Sequence, residues 1–92
     1  MSDSVTRSLE IVNEKGLHAR ASAKFVECVE GFDARAEVSR DGQSAEGDSI
    51  MGLLMLAASK GTTIEVTTRG PEAPQLAAAL ERLVAARFGE DM

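Results

Sequence analysis

The spacing of the apolar residues switches between that of a strand and that of a helix along this chain, and this pattern constrains its fold more than any other feature. Leu9 and Ile11 alternate with polar neighbours, which predicts a half-buried strand. From residue 19 to residue 30 the apolar residues recur at helical spacing instead, and Gly31 ends this helix. Two further strands joined by the turn Asp41-Gly42, a second helix, a strand and a third helix follow. The order βαββαβα with amphipathic strands favours an α+β fold whose helices cover one sheet face.

The later elements have recognisable boundaries. Asp48 and Ser49 are typical N-cap residues, and Lys60-Gly61 is typical of a helix end, so we predict the second helix between them. Ile64 and Val66, flanked by threonines, predict the last strand. The third helix starts near Gly70-Pro71, and its apolar stripe consists of Leu76, Leu80, Leu83 and Val84.

Length and composition exclude several classes of protein. A chain of 92 residues predicts one small domain, residues 1–92, without room for a large substrate pocket. The net charge of -5 and three phenylalanines as the only aromatic residues argue against a nucleic-acid binder, so we expect protein partners. One cysteine and one histidine supply no zinc ligand set and no internal disulfide, which favours a cytoplasmic protein without a metal or cofactor. The longest apolar run, residues 50–58, is shorter than the ~20 residues of a membrane span.

The only histidine, His18, stands between a glycine turn and the first predicted helix. Helix-start amides and the helix dipole attract anions, and the dipole also favours a neutral, nucleophilic imidazole. Arg20 can bind two oxygens of a phosphoryl group at once. We therefore predict that His18 accepts a phosphoryl group, with Arg20 and the amides of residues 19–22 holding it. The alternative is that His18 is only a surface residue at a helix start.

Residues 50–58 contain no polar side chain, which is more apolar surface than a short helix on a sheet requires. If Leu53, Leu56 and Ala57 face the sheet, four apolar side chains remain outside. Exposed apolar surfaces of this kind mark interaction sites, unless a loop or another helix covers them. We call this set the apolar patch: Ile50, Met51, Leu54 and Met55.

Two motifs carry a family resemblance. Gly16-Leu17-His18-Ala19-Arg20, followed by Asp48-Ser49-Ile50-Met51-Gly52-Leu53-Leu54, resembles the histidine phosphocarrier (HPr) family of the bacterial phosphotransferase systems. Leu54-Met55-Leu56 and the tail Phe88-Gly89-Glu90-Asp91 look more like its nitrogen-related (NPr) branch. The resemblance implies an open-faced sandwich, in which a four-stranded antiparallel sheet carries three helices on one face.

The resemblance also implies a function. His18 would accept a phosphoryl group on Nδ1 from an enzyme I-like kinase that uses phosphoenolpyruvate, and would pass it to a histidine of an enzyme IIA-like acceptor. Such a protein is a monomeric carrier rather than a stand-alone catalyst. The implied partner-binding residues are Ala19, Ala23, Glu27, Ile50, Met51, Leu54 and Met55. The alternative is a regulatory binding module that acts through the surface of residues 50–55 without phosphoryl transfer.

Ser49 has two interpretations. In HPr proteins that have a serine kinase/phosphorylase, the matching serine is a regulatory phosphorylation site, whereas as a plain N-cap it contributes about 1 kcal/mol to stability. The chain also departs from the family pattern. Ala21 stands where proline is usual after His-Ala-Arg, and Glu27 and Glu30 stand where sugar-transport relatives often have basic residues. This acidic face should select different partners, because it repels acidic surfaces.

Overall fold

The structure, a computed structural model, describes residues 4–92. The predicted order of strands and helices is confirmed. The elements are β1 Ser4–Glu10, α1 Ala19–Glu30, β2 Arg35–Arg40, β3 Gln43–Glu46, α2 Ile50–Met55, β4 Thr63–Arg69 and α3 Ala73–Ala85, followed by a 3-10 turn at Arg87–Gly89.

The four strands form one antiparallel sheet in the order β1-β4-β2-β3. β4 lies in the interior, where it pairs with β1 on one side and β2 on the other, so that Val66 lies opposite Val38. The β2–β3 hairpin turns at Asp41 and Gly42, whose φ angles of 51° and 80° are both left-handed. Such a turn matches the twist of its flanking strands.

The core lies between one face of this sheet and the helices. Strand residues such as Leu9, Val38 and Val66 are buried, whereas their neighbours along each strand are mostly exposed. Phe25 of α1 and Leu80 of α3 complete the same apolar cluster. α3 packs on β1 and β4, and α1 packs against α2 and α3. The prediction of an open-faced sandwich is therefore confirmed.

The predicted end of α2 is wrong. The helix stops at Met55 rather than at Lys60-Gly61, because Ala57 adopts a left-handed conformation with φ 51°. The chain leaves the helix to pair elsewhere: the Ala58 carbonyl accepts a hydrogen bond of 2.9 Å from the amide of Leu17. The predicted facing of Ala57 is wrong for the same reason, since Ala57 is exposed and Ala58 is buried.

Candidate functional site

His18 is the N-cap residue of α1. Its extended backbone (φ -78°, ψ -176°) ends the preceding loop, and its carbonyl accepts a 2.8 Å hydrogen bond from the Ser22 amide. The loop before His18 packs against the segment that follows α2. Gly16 lies so close to the Ala58 carbonyl that a Cβ there would sit 2.5 Å from the oxygen, and its own φ of 65° favours glycine. The early end of α2 thus places residue 58 where it supports the histidine loop.

The two ring nitrogens of His18 have different partners. Nε2 contacts a carboxylate oxygen of Glu90, and Nδ1 accepts a 3.2 Å hydrogen bond from the Arg20 amide. An ionised carboxylate can only accept and an amide N–H can only donate, so the neutral ring carries its proton on Nε2. The lone pair of Nδ1 is thereby left at the helix start, on a side chain that is 27% exposed.

Glu90 is the site residue that the sequence reasoning missed. Its second carboxylate oxygen accepts a 3.0 Å hydrogen bond from Asn13, whose side chain also donates to the Gly16 carbonyl at 2.8 Å. The hydrogen bonds from Asn13 and then from His18 lower the pKa of the Glu90 carboxyl. Glu90 is 72 residues away from His18 along the chain, so no local spacing could have paired them.

Residues 87–92, which we call the tail, fold back towards α1 to deliver Glu90. Arg87, Phe88 and Gly89 are consecutive left-handed residues, with φ between 56° and 80°. Phe88 is completely buried in the core, and its carbonyl accepts a 2.7 Å hydrogen bond from Lys24 of α1. The buried ring and this hydrogen bond anchor the tail next to the histidine.

A cavity of about 480 Å³ opens beside the His18 ring. Among residues 4–92 the guanidinium of Arg20 has no hydrogen bond or ion pair, so it is free to bind an anion there. Lys24 is already engaged by the Phe88 carbonyl. The charged residues that line the cavity besides His18 are Lys15, Arg20, Lys24, Glu14, Glu90 and Asp91.

None of the other residues in the range 4–92 covers the apolar patch. Met51 is 68% and Met55 is 75% exposed, Ile50 is exposed and Leu54 is half-buried. A shallow groove lined by His18 and Leu54 joins the patch to the histidine. On α1, the predicted partner-binding residues recur every fourth position, with Ala19 and Glu27 exposed and Ala23 half-buried. The structure therefore brings Leu54 of the patch next to His18, and α1 packs against α2.

Ser49 is the N-cap of α2, as its sequence position predicts. Its hydroxyl oxygen accepts a 3.0 Å hydrogen bond from the Gly52 amide, and the side chain is half-buried. Ala21, at the position where the family usually has proline, is completely buried in the first turn of α1. None of the helices within residues 4–92 is long and apolar enough to span a membrane.

Comparisons with known proteins agree with this geometry. A family model described as "PTS HPr component phosphorylation site" matches residues 5–86. The phosphocarrier protein HPr of Cupriavidus necator is 44% identical over 84 residues, which cover 91% of this chain and 94% of that protein. The phosphocarrier protein NPr of Escherichia coli K12 is 41% identical over 88 residues, covering 95% and 98%. The crystal structure of HPr-C-His from Thermoanaerobacter tengcongensis superposes with a TM-score of 0.91 at 32% identity, covering 96% and 99%.

Proposed function

The chain belongs to the HPr family of phosphocarriers of the phosphotransferase system, and from this premise we propose that His18 carries the phosphoryl group. The observation that supports this assignment is the hydrogen bonding of the ring, which leaves a lone pair on Nδ1 beside the Arg20 amide. A neutral imidazole nitrogen at a helix N-terminus is a nucleophile in a field that favours anions. Nδ1 is therefore the atom that receives the phosphorus.

Arg20 holds the phosphoryl group in two ways. Once the N–P bond uses the Nδ1 lone pair, the Arg20 amide is released to donate to a phosphate oxygen. Its guanidinium, free of partners within residues 4–92, can bind two further oxygens. The set of helix-start amides is smaller than the sequence predicts, because the Ser22 amide already donates to the His18 carbonyl.

The family interacts with enzymes of the phosphotransferase system, and we assign this chain an enzyme I-like donor that uses phosphoenolpyruvate and an enzyme IIA-like acceptor. Both would dock on the apolar patch and the groove that joins it to His18. Flexible methionines suit a surface that receives two partners in turn. The exposed carboxylate of Glu27 at this face favours partners with basic docking surfaces. We expect the carrier to act as a cytoplasmic monomer.

A second modification site is proposed at Ser49, for a partner that resembles the HPr serine kinase/phosphorylase. A phosphate there would add a charge of about -1.5 to -2 directly beside the apolar patch. Folding would be retained, because the start of a helix tolerates an anion, while docking would weaken through desolvation and repulsion.

The test is phosphorylation by the cognate enzyme I with phosphoenolpyruvate. We expect one acid-labile phosphoryl group in the wild type and none in His18→Ala, which should fold normally because the His18 side chain is only partly buried. Ser49→Ala is the matched control and should be labelled like the wild type. Undiminished labelling of His18→Ala would refute the assignment, and a regulatory binding module without phosphoryl transfer would leave all three proteins unlabelled.

A further inference from the structure

We propose that Glu90 is a positioning residue for phosphoryl transfer, which keeps the proton of His18 on Nε2 and balances the positive charge of the phosphorylated ring. The proposal rests on the proposed role of His18 and assigns a role to a residue outside the part of the chain, residues 5–86, that matches the family model. Glu90 acts on the side of the ring opposite Nδ1 and so does not compete with the phosphoryl group.

The Glu90 carboxylate is held from three directions. Asn13 donates one N–H to it and the other to the Gly16 carbonyl. Both partners of that amide group are pure acceptors, so the amide cannot flip without turning its oxygen towards the carboxylate. The buried ring of Phe88 anchors the preceding backbone, and Lys24 binds the Phe88 carbonyl. The contact between Glu90 and His18 is therefore built into the fold.

The contact between Glu90 and His18 affects the charge of the ring during phosphoryl transfer. When the Nδ1 lone pair forms the N–P bond, the bond between phosphorus and the donor breaks and its electron pair leaves with the donor. Nε2 keeps its proton throughout, so the ring changes from neutral to positive. The adjacent carboxylate of Glu90 favours that positive form. On delivery a lone pair of the acceptor histidine forms the new N–P bond, the bond to Nδ1 breaks with its electron pair returning to Nδ1, and His18 leaves as a neutral imidazole without any proton transfer.

Without the carboxylate, the phosphorylated ring would lose its Nε2 proton at a lower pH. The leaving group would then be an imidazolate anion, which is a far poorer leaving group than neutral imidazole. The other charges that face the ring and the carboxylate across the cavity are Lys15, Arg20, Lys24, Glu14 and Asp91. Among these side chains none hydrogen-bonds to the ring, so their effects act through space alone.

Glu90→Gln tests the proposal, with Asp91→Asn as the matched control, because both remove one negative charge from the same cavity. Asn13 and His18 bind different oxygens of the Glu90 carboxylate, and glutamine replaces one of these oxygens by an NH₂ group, so in this geometry one of the two N–H groups faces a donor. In unphosphorylated protein, ¹⁵N NMR of the His18 ring should show a proton on Nε2 in the wild type and in Asp91→Asn. In Glu90→Gln the share of the Nδ1-protonated tautomer should rise measurably, because only the Arg20 amide still favours the proton on Nε2.

The second readout is the pH profile of transfer from phosphorylated protein to its acceptor. The decline in rate at high pH should begin about one pH unit lower in Glu90→Gln than in the wild type, which corresponds to about tenfold slower transfer there. Asp91→Asn should follow the wild type. A profile of Glu90→Gln that coincides with the wild type would overturn the proposal, as would an equal shift in Asp91→Asn. If the wild type is not phosphorylated on His18 at all, the proposed function fails instead, and the NMR readout still tests the contact.

Discussion

Phe88→Ala should cost this small protein a large share of its stability. The ring is completely buried and belongs to the main apolar cluster, where the 3-10 turn packs against both α1 and α3. Replacing a fully buried phenylalanine by alanine costs about 3 to 5 kcal/mol, because contacts are lost and a cavity remains. Domains of this size are stable by only about 5 to 15 kcal/mol. The variant should thus lose about a fifth or more of its free energy of unfolding.

The substitution isolates the ring from the backbone. Phe88 has a left-handed φ of 56°, and alanine keeps a Cβ, so the backbone strain at this position is the same in both proteins. Each kcal/mol lost should lower the melting temperature by roughly 4 to 8 °C.

Urea denaturation of the wild type, Phe88→Ala and Phe32→Ala supplies the measurement. Phe32 is a partly buried phenylalanine at the edge of the same cluster, so its replacement should cost clearly less. A loss in Phe88→Ala no larger than that in Phe32→Ala would refute the conclusion that the tail is anchored in the core.

Three further predictions concern the site. Met51→Glu should slow phosphorylation of His18 by enzyme I but lower the free energy of unfolding by less than ~1 kcal/mol, because Met51 is exposed. Leu53→Ala, at a buried position of the same helix, should lower it by about 2 to 5 kcal/mol, and equal losses of the two variants in urea denaturation would contradict this. Ser49→Ala should lower the free energy of unfolding by about 1 kcal/mol because the N-cap hydrogen bond is lost, whereas Ser49→Asp should keep its stability and slow phosphoryl transfer to His18. Equal transfer rates in both variants and the wild type would exclude a switching role for Ser49. Hydrogen bonds hold the pKa of Glu90 below its ordinary value of 4.5, so its contribution to stability is complete above that pH and is lost as the pH falls through the lower, folded value. The free energies of unfolding of the wild type and Glu90→Gln should therefore differ at pH 7 and converge in acid, and a difference that grows in acid would contradict this.

The sequence by itself determined the order of the strands and helices and the position of His18 at the start of a helix. Strand and helix periods are local patterns, so β1, α1 and the β2–β3 hairpin could be predicted from a few neighbouring residues each. The position of His18 at the start of α1 follows from the same local signals, namely the glycine turn before it and the apolar spacing after it. The exposure of Met51 could also be predicted, because a short helix has more apolar residues there than one buried face can use.

Only the tertiary structure decided where α2 ends and what holds the imidazole. The Ala58 carbonyl leaves the helical pattern because the Leu17 amide, 41 positions earlier in the chain, offers it a hydrogen bond. Glu90 reaches His18 because the buried Phe88 ring turns the tail back onto α1. Both contacts join residues that are distant in sequence, and their energies depend on the packed distances between elements. No local period encodes such distances, since they exist only once the sheet and the helices have packed together.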